Sequence, residues 1–324
     1  MRAVVVTETG GPEVLTVQDL PSPDPGAGEL RVDVAAAGVN YIDVYYRTGA
    51  YPLPTPFIVG SEGAGVVSAV GSGVTEFQEG DHVAWAMVAG AGYAGQVLVP
   101  AARAVPVPAG IDDQTAASVL LQGLTVHYLT RSTYPARPGE TALVHAAAGG
   151  VGLLLTQALT SMGVRVIGTT STSSKAALAL EAGAAEIIRY DREDVATEVS
   201  RLTGARGVDV VYDGVGQATF DGSINSLRPR GMFVLYGASS GKVAPVDPLL
   251  LTAKGSLFFT RPSLAHYAAD REELLQRSRE LFGWVASGQL SARVGARYTL
   301  DQARQAHEDL ESRRTTGKSL IIPG

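Results

Sequence analysis

The stretch from Thr141 to Lys175 limits the fold more than any other part of the chain. An apolar run, Thr141-Ala-Leu-Val-His-Ala146, meets the small-residue turn Ala147-Ala148-Gly149-Gly150-Val151-Gly152, and an apolar helical stretch follows over 153–162. Strand, glycine turn and helix in that order predict a seat for a dinucleotide pyrophosphate. Glycines let the backbone close tightly and approach the phosphates, while a helix start supplies unpaired amides and the positive end of its dipole. The turn departs from G-x-G-x-x-G at its first position, where Ala147 stands. Taken alone, such a turn is as compatible with an ordinary strand-to-helix connection as with a nucleotide site.

The surroundings extend the pattern. From Thr141 onward, strands are expected over 164–169, 186–190, 208–212, 232–236 and 256–260. Helices are expected over 174–182 and 192–203, each stopped by a glycine, and over 218–227. Mostly β-branched strands alternating with such helices predict a doubly wound parallel sheet of Rossmann type, an α/β fold. Residues 1–110 read differently, as short strands over 3–7, 30–36, 65–70, 82–86 and 96–99 split by Pro-, Gly- and Asp-rich turns, which predicts a mostly β, barrel-like domain. A helix over 112–131, capped by Asp112, puts Ala116, Val119, Leu120, Leu124 and Tyr128 on one face and carries the chain from one domain to the next. After Arg261-Pro262 the alternation stops, and the tail is expected to return to the first domain. The expected division is 1–123 (catalytic β domain), 124–263 (nucleotide-binding domain) and 264–324 (return to the catalytic domain).

Composition narrows the chemistry. The 324 residues contain no cysteine, so disulfides, thiolate nucleophiles and thiolate metal sites are excluded. Five histidines, at 82, 127, 145, 266 and 307, show no metal-ligand spacing, so a structural role is expected for each and no metal is expected. A net charge of −6 argues against nucleic acid as a partner, although a local basic pocket remains compatible with it. No apolar run approaches the roughly 18 residues that span a membrane, and the start, Met1-Arg2-Ala3-Val4, alternates into a strand without a cleavable signal; a cytoplasmic location is expected.

Gly60-Ser-Glu62-Gly-Ala-Gly65-Val-Val-Ser-Ala-Val-Gly71 resembles the G-x-E-x-x-G-x-V-x-x-x-G signature of the medium-chain dehydrogenases/reductases. With Ala-Ala-Gly-Val-Asn40-Tyr-Ile-Asp43, Leu121-Gln-Gly-Leu-Thr125, His145-Ala-Ala-Ala-Gly-Gly-Val-Gly152 and Thr260-Arg-Pro-Ser-Leu264, the chain resembles the zinc-free, zeta-crystallin-like quinone oxidoreductases from end to end. The resemblance implies a GroES-like catalytic domain beside the Rossmann domain, NADPH as hydride donor, and a homodimer paired through sheet edges. The apolar, β-prone run 256–260 is the candidate edge. Zinc-dependent relatives carry a ligand histidine where this chain has Ser61. Without a Lewis acid, hydrogen bonds alone must polarise the substrate, which suits a quinone or conjugated enone better than an alcohol or simple ketone.

The preference for NADP(H) over NAD rests on the segment Gly168-Thr-Thr-Ser-Thr-Ser-Ser-Lys175. An enzyme using NAD usually carries an acid about 20 residues past the turn to bind the ribose 2′-hydroxyl. Here no acid occurs before Glu181, and Lys175 with Ser171, Thr172 and Ser173 suits a 2′-phosphate. The resemblance adds Tyr190 and Arg313 to that site. The plain alternative is a solvated helix start with serine caps.

The second candidate region is Asn40 to Tyr51, with four of the chain's twelve tyrosines. Asn40, Tyr45 and Tyr51 fall where the resemblance places the nicotinamide and substrate pocket, and are expected to hold and polarise the acceptor; Tyr41 and Tyr46 are expected to be structural. Gln122 and Thr125 are expected to face the cofactor. So are Gly214 and Val215, and Tyr236, Gly237 and Ser239, in turns that follow sheet strands. Asp43 is either a proton carrier or a loop buttress. Two other functions fit the same residues: reduction of 2-alkenals or enones, and a structural or RNA-binding role of a crystallin-like NADPH-binding protein.

Overall fold

A computed structural model describes all residues, 1–324, and the chain divides into two compact units. One comprises Met1–Leu124, Ala268–Ala286 and Ala292–Gly324; the other comprises Thr125–Tyr267 with Ser287–Ser291.

The hub of the first unit is the strand Glu29–Gly38, which pairs antiparallel with Glu62–Val70, with Gln96–Pro100 and with the last strand, Lys318–Ile321. From Glu62–Val70 the sheet continues through His82–Ala86 to Ala104–Pro106, and Val294–Tyr298 lies parallel to the last strand. A smaller sheet joins Thr16–Asp19, Arg2–Val6 and Phe57–Ile58. Leu30, Val32, Val34 and Ala36 alternate inward from the hub, as a half-buried strand requires, and the first three share a core with Val4, Val6, Trp85 and Tyr93. The signature glycine Gly65 is explained by packing: an added Cβ would stand 2.0 Å from the Asp33 carbonyl oxygen of the hub strand.

The second unit is a six-stranded, wholly parallel sheet. In chain order its strands are Thr141–Val144, Arg165–Thr170, Glu186–Arg189, Val208–Asp213, Leu227–Leu235 and Phe258–Thr260, and they lie in the spatial order 3-2-1-4-5-6. Thr141–Val144 and Val208–Asp213 are buried along their whole length, the consequence of helices covering both faces. Phe220, Phe233 and Phe259 interlock beneath the sheet edge at centroid distances of 5.2 to 6.1 Å. The order reverses between the first and fourth strands, where ligands bind beyond the carboxyl ends of such sheets.

Three local readings are corrected. Residues 41–47, read as a loop, form the helix Tyr41–Arg47; its β-branched and aromatic residues favour helix weakly, and tertiary anchoring outweighs that preference. The helix after the glycine turn begins at Gly150 rather than Leu153, so Gly150, Val151 and Gly152 form its first turn. The helix over 112–131 is α-helical at Asp113–Tyr128 and then widens into a π-helical turn, Leu129–Thr133. No helix is long and apolar enough to cross a membrane.

Candidate active site

The glycine turn is built by close approach of backbone. A Cβ on Gly152 would stand 2.3 Å from the Ala146 carbonyl oxygen and 2.8 Å from Ala147 Cα, so no side chain fits there. The first-turn amides of Gly150, Val151 and Gly152 have no partner inside the helix, and Gly149 caps it in extended conformation. Ala147 has a physical account: a Cβ on Gly168 of the second strand would come within 2.8 Å of the Ala147 methyl. The methyl therefore uses space that Gly168 leaves open. These features fit a pyrophosphate.

The turns after the fourth and fifth strands are bound to each other. Ser239 and Ser240 amides donate to Gly214 and Val215 carbonyls, and a Cβ on Gly237 would stand 2.4 Å from the Gly214 oxygen. Asp213, fully buried and unnoticed in the sequence, organises this corner. Its Oδ1 accepts from the Val215 and Gly216 amides, and its Oδ2 from the Thr219 and Ser223 hydroxyls. His145 is the structural residue expected. Burial lowers its pKa, and because the Ser223 hydroxyl donates to Asp213, the Nε2 proton of His145 points at Ser223 at 2.9 Å. Gly214, Val215, Tyr236, Gly237 and Ser239 thus sit together at the carboxyl end of the sheet.

Beyond the second strand, the Thr172 hydroxyl accepts from the Lys175 amide and caps the next helix, so it serves the backbone. Ser171 precedes it, and Lys175 occupies the first helical turn. Arg189, missed in the sequence, donates to Ser173 Oγ at 2.8 Å and is held from the other side by both oxygens of Asp191. Its neighbour Tyr190, 40% exposed, donates its amide to the Thr170 carbonyl. Ser171, Lys175, Arg189 and Tyr190 therefore gather past the ends of adjacent strands. Thr170 Oγ1 is buried without a hydrogen-bond partner in the protein, a polar atom suited to a ligand hydroxyl. Arg313 belongs to the other unit, where it follows the helix Ala303–Glu311 with a left-handed backbone (φ 59°).

In the first unit, Asn40 lies at the start of the helix Tyr41–Arg47 and is 6% exposed. Its Nδ2 donates to Glu62 Oε1 (2.7 Å) and the Gly38 carbonyl (3.2 Å); its Oδ1 accepts from Gln122 Nε2 (2.6 Å) and Lys318 Nζ (2.9 Å). Both of its donors and both lone pairs are thus engaged inside the protein. Lys318 also pairs closely with Glu62, whose second oxygen accepts from the Leu121 amide. Gln122 Oε1 is left buried and unpartnered, and Thr125 lies one turn further along the same helix.

Asp43, on the first turn of the helix, accepts from the Asn40 amide and Tyr93 Oη at Oδ2 and from Ser61 Oγ at Oδ1. Burial pushes its carboxyl up to about 7, against the opposing pull of Ser61, the Asn40 amide and Lys318. Tyr45 and Tyr51 form an aromatic face, with centroids 5.0 Å apart, and Tyr46 meets Tyr51 edge-on. Tyr41 is an anchor, its hydroxyl donating to the Leu310 carbonyl.

Models of two protein families match the chain: an alcohol dehydrogenase GroES-like domain over residues 26–109 and a zinc-binding dehydrogenase domain over 150–277. A quinone oxidoreductase of Pseudomonas aeruginosa is 46% identical over 97% of each chain. A 2-haloacrylate reductase of a Burkholderia species is 38% identical over 100% of this chain and 99% of its own. The crystal structure of the Escherichia coli quinone oxidoreductase complexed with NADPH superposes with a TM-score of 0.97 at 44% identity, covering all of both chains. The chain belongs to the medium-chain dehydrogenase/reductase superfamily, in its quinone oxidoreductase branch. The residues present do not fit the zinc of the second domain's description, since the chain lacks cysteine and groups no three histidine or carboxylate side chains that could ligate a metal.

Proposed function

We propose that the chain reduces quinones with hydride from NADPH, by direct transfer and without a metal. The observation that carries this reading is the segment beyond the second strand, where Lys175 and Arg189 stand beside Ser171, Ser173 and Tyr190 and no acid occupies the ribose position. A lysine and hydroxyls at this turn favour a 2′-phosphate, which an acid in the ribose position would repel; Arg189, already paired with Asp191, positions Ser173.

When bound, NADPH supplies the hydride. The glycine turn would hold the pyrophosphate, and the buried Thr170 Oγ1 and Gln122 Oε1 would satisfy ligand hydroxyl or amide groups. Asn40, its own donors spent, orients Gln122. Tyr45 and Tyr51 offer the flat face against which an acceptor ring packs. The NADPH complex of the Escherichia coli relative supports the cofactor, and the names of the relatives support the acceptor. Steady-state NADPH oxidation with 1,4-benzoquinone and 9,10-phenanthrenequinone, against a panel of enones, tests the reading; silence with every quinone would sink it. Likeness to a 2-haloacrylate reductase favours a second acceptor class, activated alkenes, and the same panel ranks the two.

The edge strand Phe258–Thr260 exposes Phe258 at 57%, and Leu249 nearby in sequence is 74% exposed. An apolar sheet edge of this kind supports a homodimer, and a monomer mass by light scattering at micromolar concentration would contradict it. We place the protein in the cytoplasm.

A further inference from the structure

Quinone reduction requires a proton as well as a hydride, and the first unit contains an array of donors aimed at one buried carboxyl. Arg47, 1% exposed, grips Glu311 with two hydrogen bonds of 2.8 and 3.0 Å and donates to His307 Nδ1 at 3.1 Å. An arginine can only donate, so the His307 proton sits on Nε2, which faces Tyr93 Oη at 3.2 Å. The Tyr93 hydrogen is thereby directed at Asp43 Oδ2, 3.3 Å away, where the Asn40 amide also donates at 3.0 Å. The polarity of the chain is fixed by its cationic end: Arg47, His307, Tyr93, Asp43. Burial with Arg47 alongside lowers the His307 pKa to about 3, and burial with Asp43 alongside raises that of Tyr93, so neither changes its proton count near neutrality.

Oδ2 is occupied by the Asn40 amide, which cannot reverse, and by Tyr93, which the His307 proton on its oxygen holds as a donor. Oδ1 holds a single donor, Ser61 Oγ at 2.8 Å, and a hydroxyl can reverse. A proton arriving at Asp43 therefore settles on Oδ1, turns the Ser61 contact around, and frees the Ser61 hydrogen to point elsewhere. Asn40 ties this pair to the candidate site, since its backbone binds Asp43 while its side chain binds Gln122.

We propose that Asp43 and Ser61 are the proton-delivering pair of the enzyme, Asp43 storing the proton and Ser61 Oγ passing it to the acceptor. The proposal rests on the quinone reading above. An acceptor that has taken a hydride, two electrons and one proton, is a hydroquinone monoanion. Its oxygen takes the Ser61 hydrogen as Asp43 Oδ1–H moves to Ser61 Oγ; one O–H bond forms on the product, one breaks on Asp43, and solvent restores the carboxyl proton. Arg47, His307 and Tyr93 are positioning residues that keep Oδ2 from competing. The other charged or titratable groups around Asp43 are Tyr46 on its own helix, Glu62 on the neighbouring strand and Lys318 on the last strand.

Two measurements test the pair. Carboxyl-carbon NMR of the aspartate-labelled protein should show one buried carboxyl titrating near its raised value of about 7; the signal should vanish in Asp43→Asn and move upward in Ser61→Ala and Tyr93→Phe, each of which removes a donor to the charged form. In turnover, kcat should fall as pH rises through that value, and Ser61→Ala should lower kcat at least about tenfold and erase the limb, with NADPH affinity and KM retained. Ser61→Thr should restore both. A titration absent between about pH 6 and 8, or unmoved by Ser61→Ala, overturns the proposal. So does a Ser61→Ala enzyme with the original kcat and pH limb. If no quinone is turned over, the acceptor reading fails by itself: the NMR titration still decides whether Asp43 and Ser61 hold the proton, and the pH profile is then taken with an enone.

Discussion

The glycine turn of the second unit and the Asn40–Asp43 region of the first are built from different material. The turn is backbone within one stretch of sequence: Gly152 matters because nothing larger than hydrogen clears Ala146. The other is side chains from opposite ends of the chain, with Asn40 bound to Lys318 and Arg47 to Glu311. The first can hold a phosphate through amides that no substitution elsewhere removes. The second depends on every member, because each polar group is buried against the others and losing one strands its neighbour.

This contrast predicts that changes in the side-chain network cost mainly stability and changes in the turn cost mainly cofactor binding. The largest effect is expected for Lys318→Met, which leaves Glu62, fully buried, without its counter-charge. Removing one partner of a buried pair costs ~3–5 kcal/mol, to be read by urea unfolding. If Lys318→Met is as stable as the parent, the pair is not the support described here. Gly152→Val, whose added carbons must displace the Ala146 backbone, should cost some folding stability and weaken NADPH binding at least about 100-fold, ~2.7 kcal/mol, by titration of cofactor fluorescence. A loss of stability without a loss of affinity would remove the distinction between the two regions.

A finer test uses the opposed titrations inside the network. His307, with its pKa lowered to about 3, contributes stability that is present above its unfolded pKa and drains away as pH falls. Asp43, raised to about 7, contributes stability that is present at low pH and is lost as pH rises toward 7. Between about pH 4 and 6.5 the two slopes cancel. Asp43→Asn should unmask the histidine, so that unfolding free energy rises with pH by ~1.4 kcal/mol per unit more than in the parent over that window. Equal slopes in the two proteins would mean that the Asp43 carboxyl is not raised in the folded state.

Smaller effects are expected at the pocket rims. Lys175→Ala should reduce the preference for NADPH over NADH about tenfold, ~1.4 kcal/mol, with little change in folding stability. Tyr51→Ala, which removes an exposed ring from the pair with Tyr45, should raise KM for aromatic quinones a few-fold, consistent with ~0.5–1.5 kcal/mol for a ring contact. An unchanged KM would move the acceptor away from this aromatic face.

The same contrast explains what could be read in advance. The Rossmann order and the turn are local patterns, strand then glycines then helix, so the α/β class and the position of the turn were legible. Ala147 looked like a departure because its partner, Gly168, lies in another strand. Asp213 and Arg189 carried weaker signals: an acid closing a strand before Gly-Val-Gly, and a base before Tyr190. Glu62 and Lys318 carried none for pairing, since only the fold brings their strands to opposite sides of the hub. The helix at Tyr41–Arg47 was hidden by its composition, although Tyr41, Val44, Tyr45 and Thr48 keep helical spacing and Asn40 with Asp43 is an N-terminal signal.

The methyl of Ala147 and the bare Cα of Gly168 behave as one volume that either residue can fill, but not both. Sequences of this fold can drift between alanine at the turn and alanine in the strand only by passing through the doubly empty pair. That intermediate is penalised lightly, by about 1 kcal/mol of backbone freedom, whereas the doubly filled one collides. The two positions should therefore covary as a mutually exclusive pair, and a Gly168→Ala change damaging by itself should be largely rescued by Ala147→Gly, the one remaining close contact being the flexible Ile187 Cδ1 end at 2.9 Å.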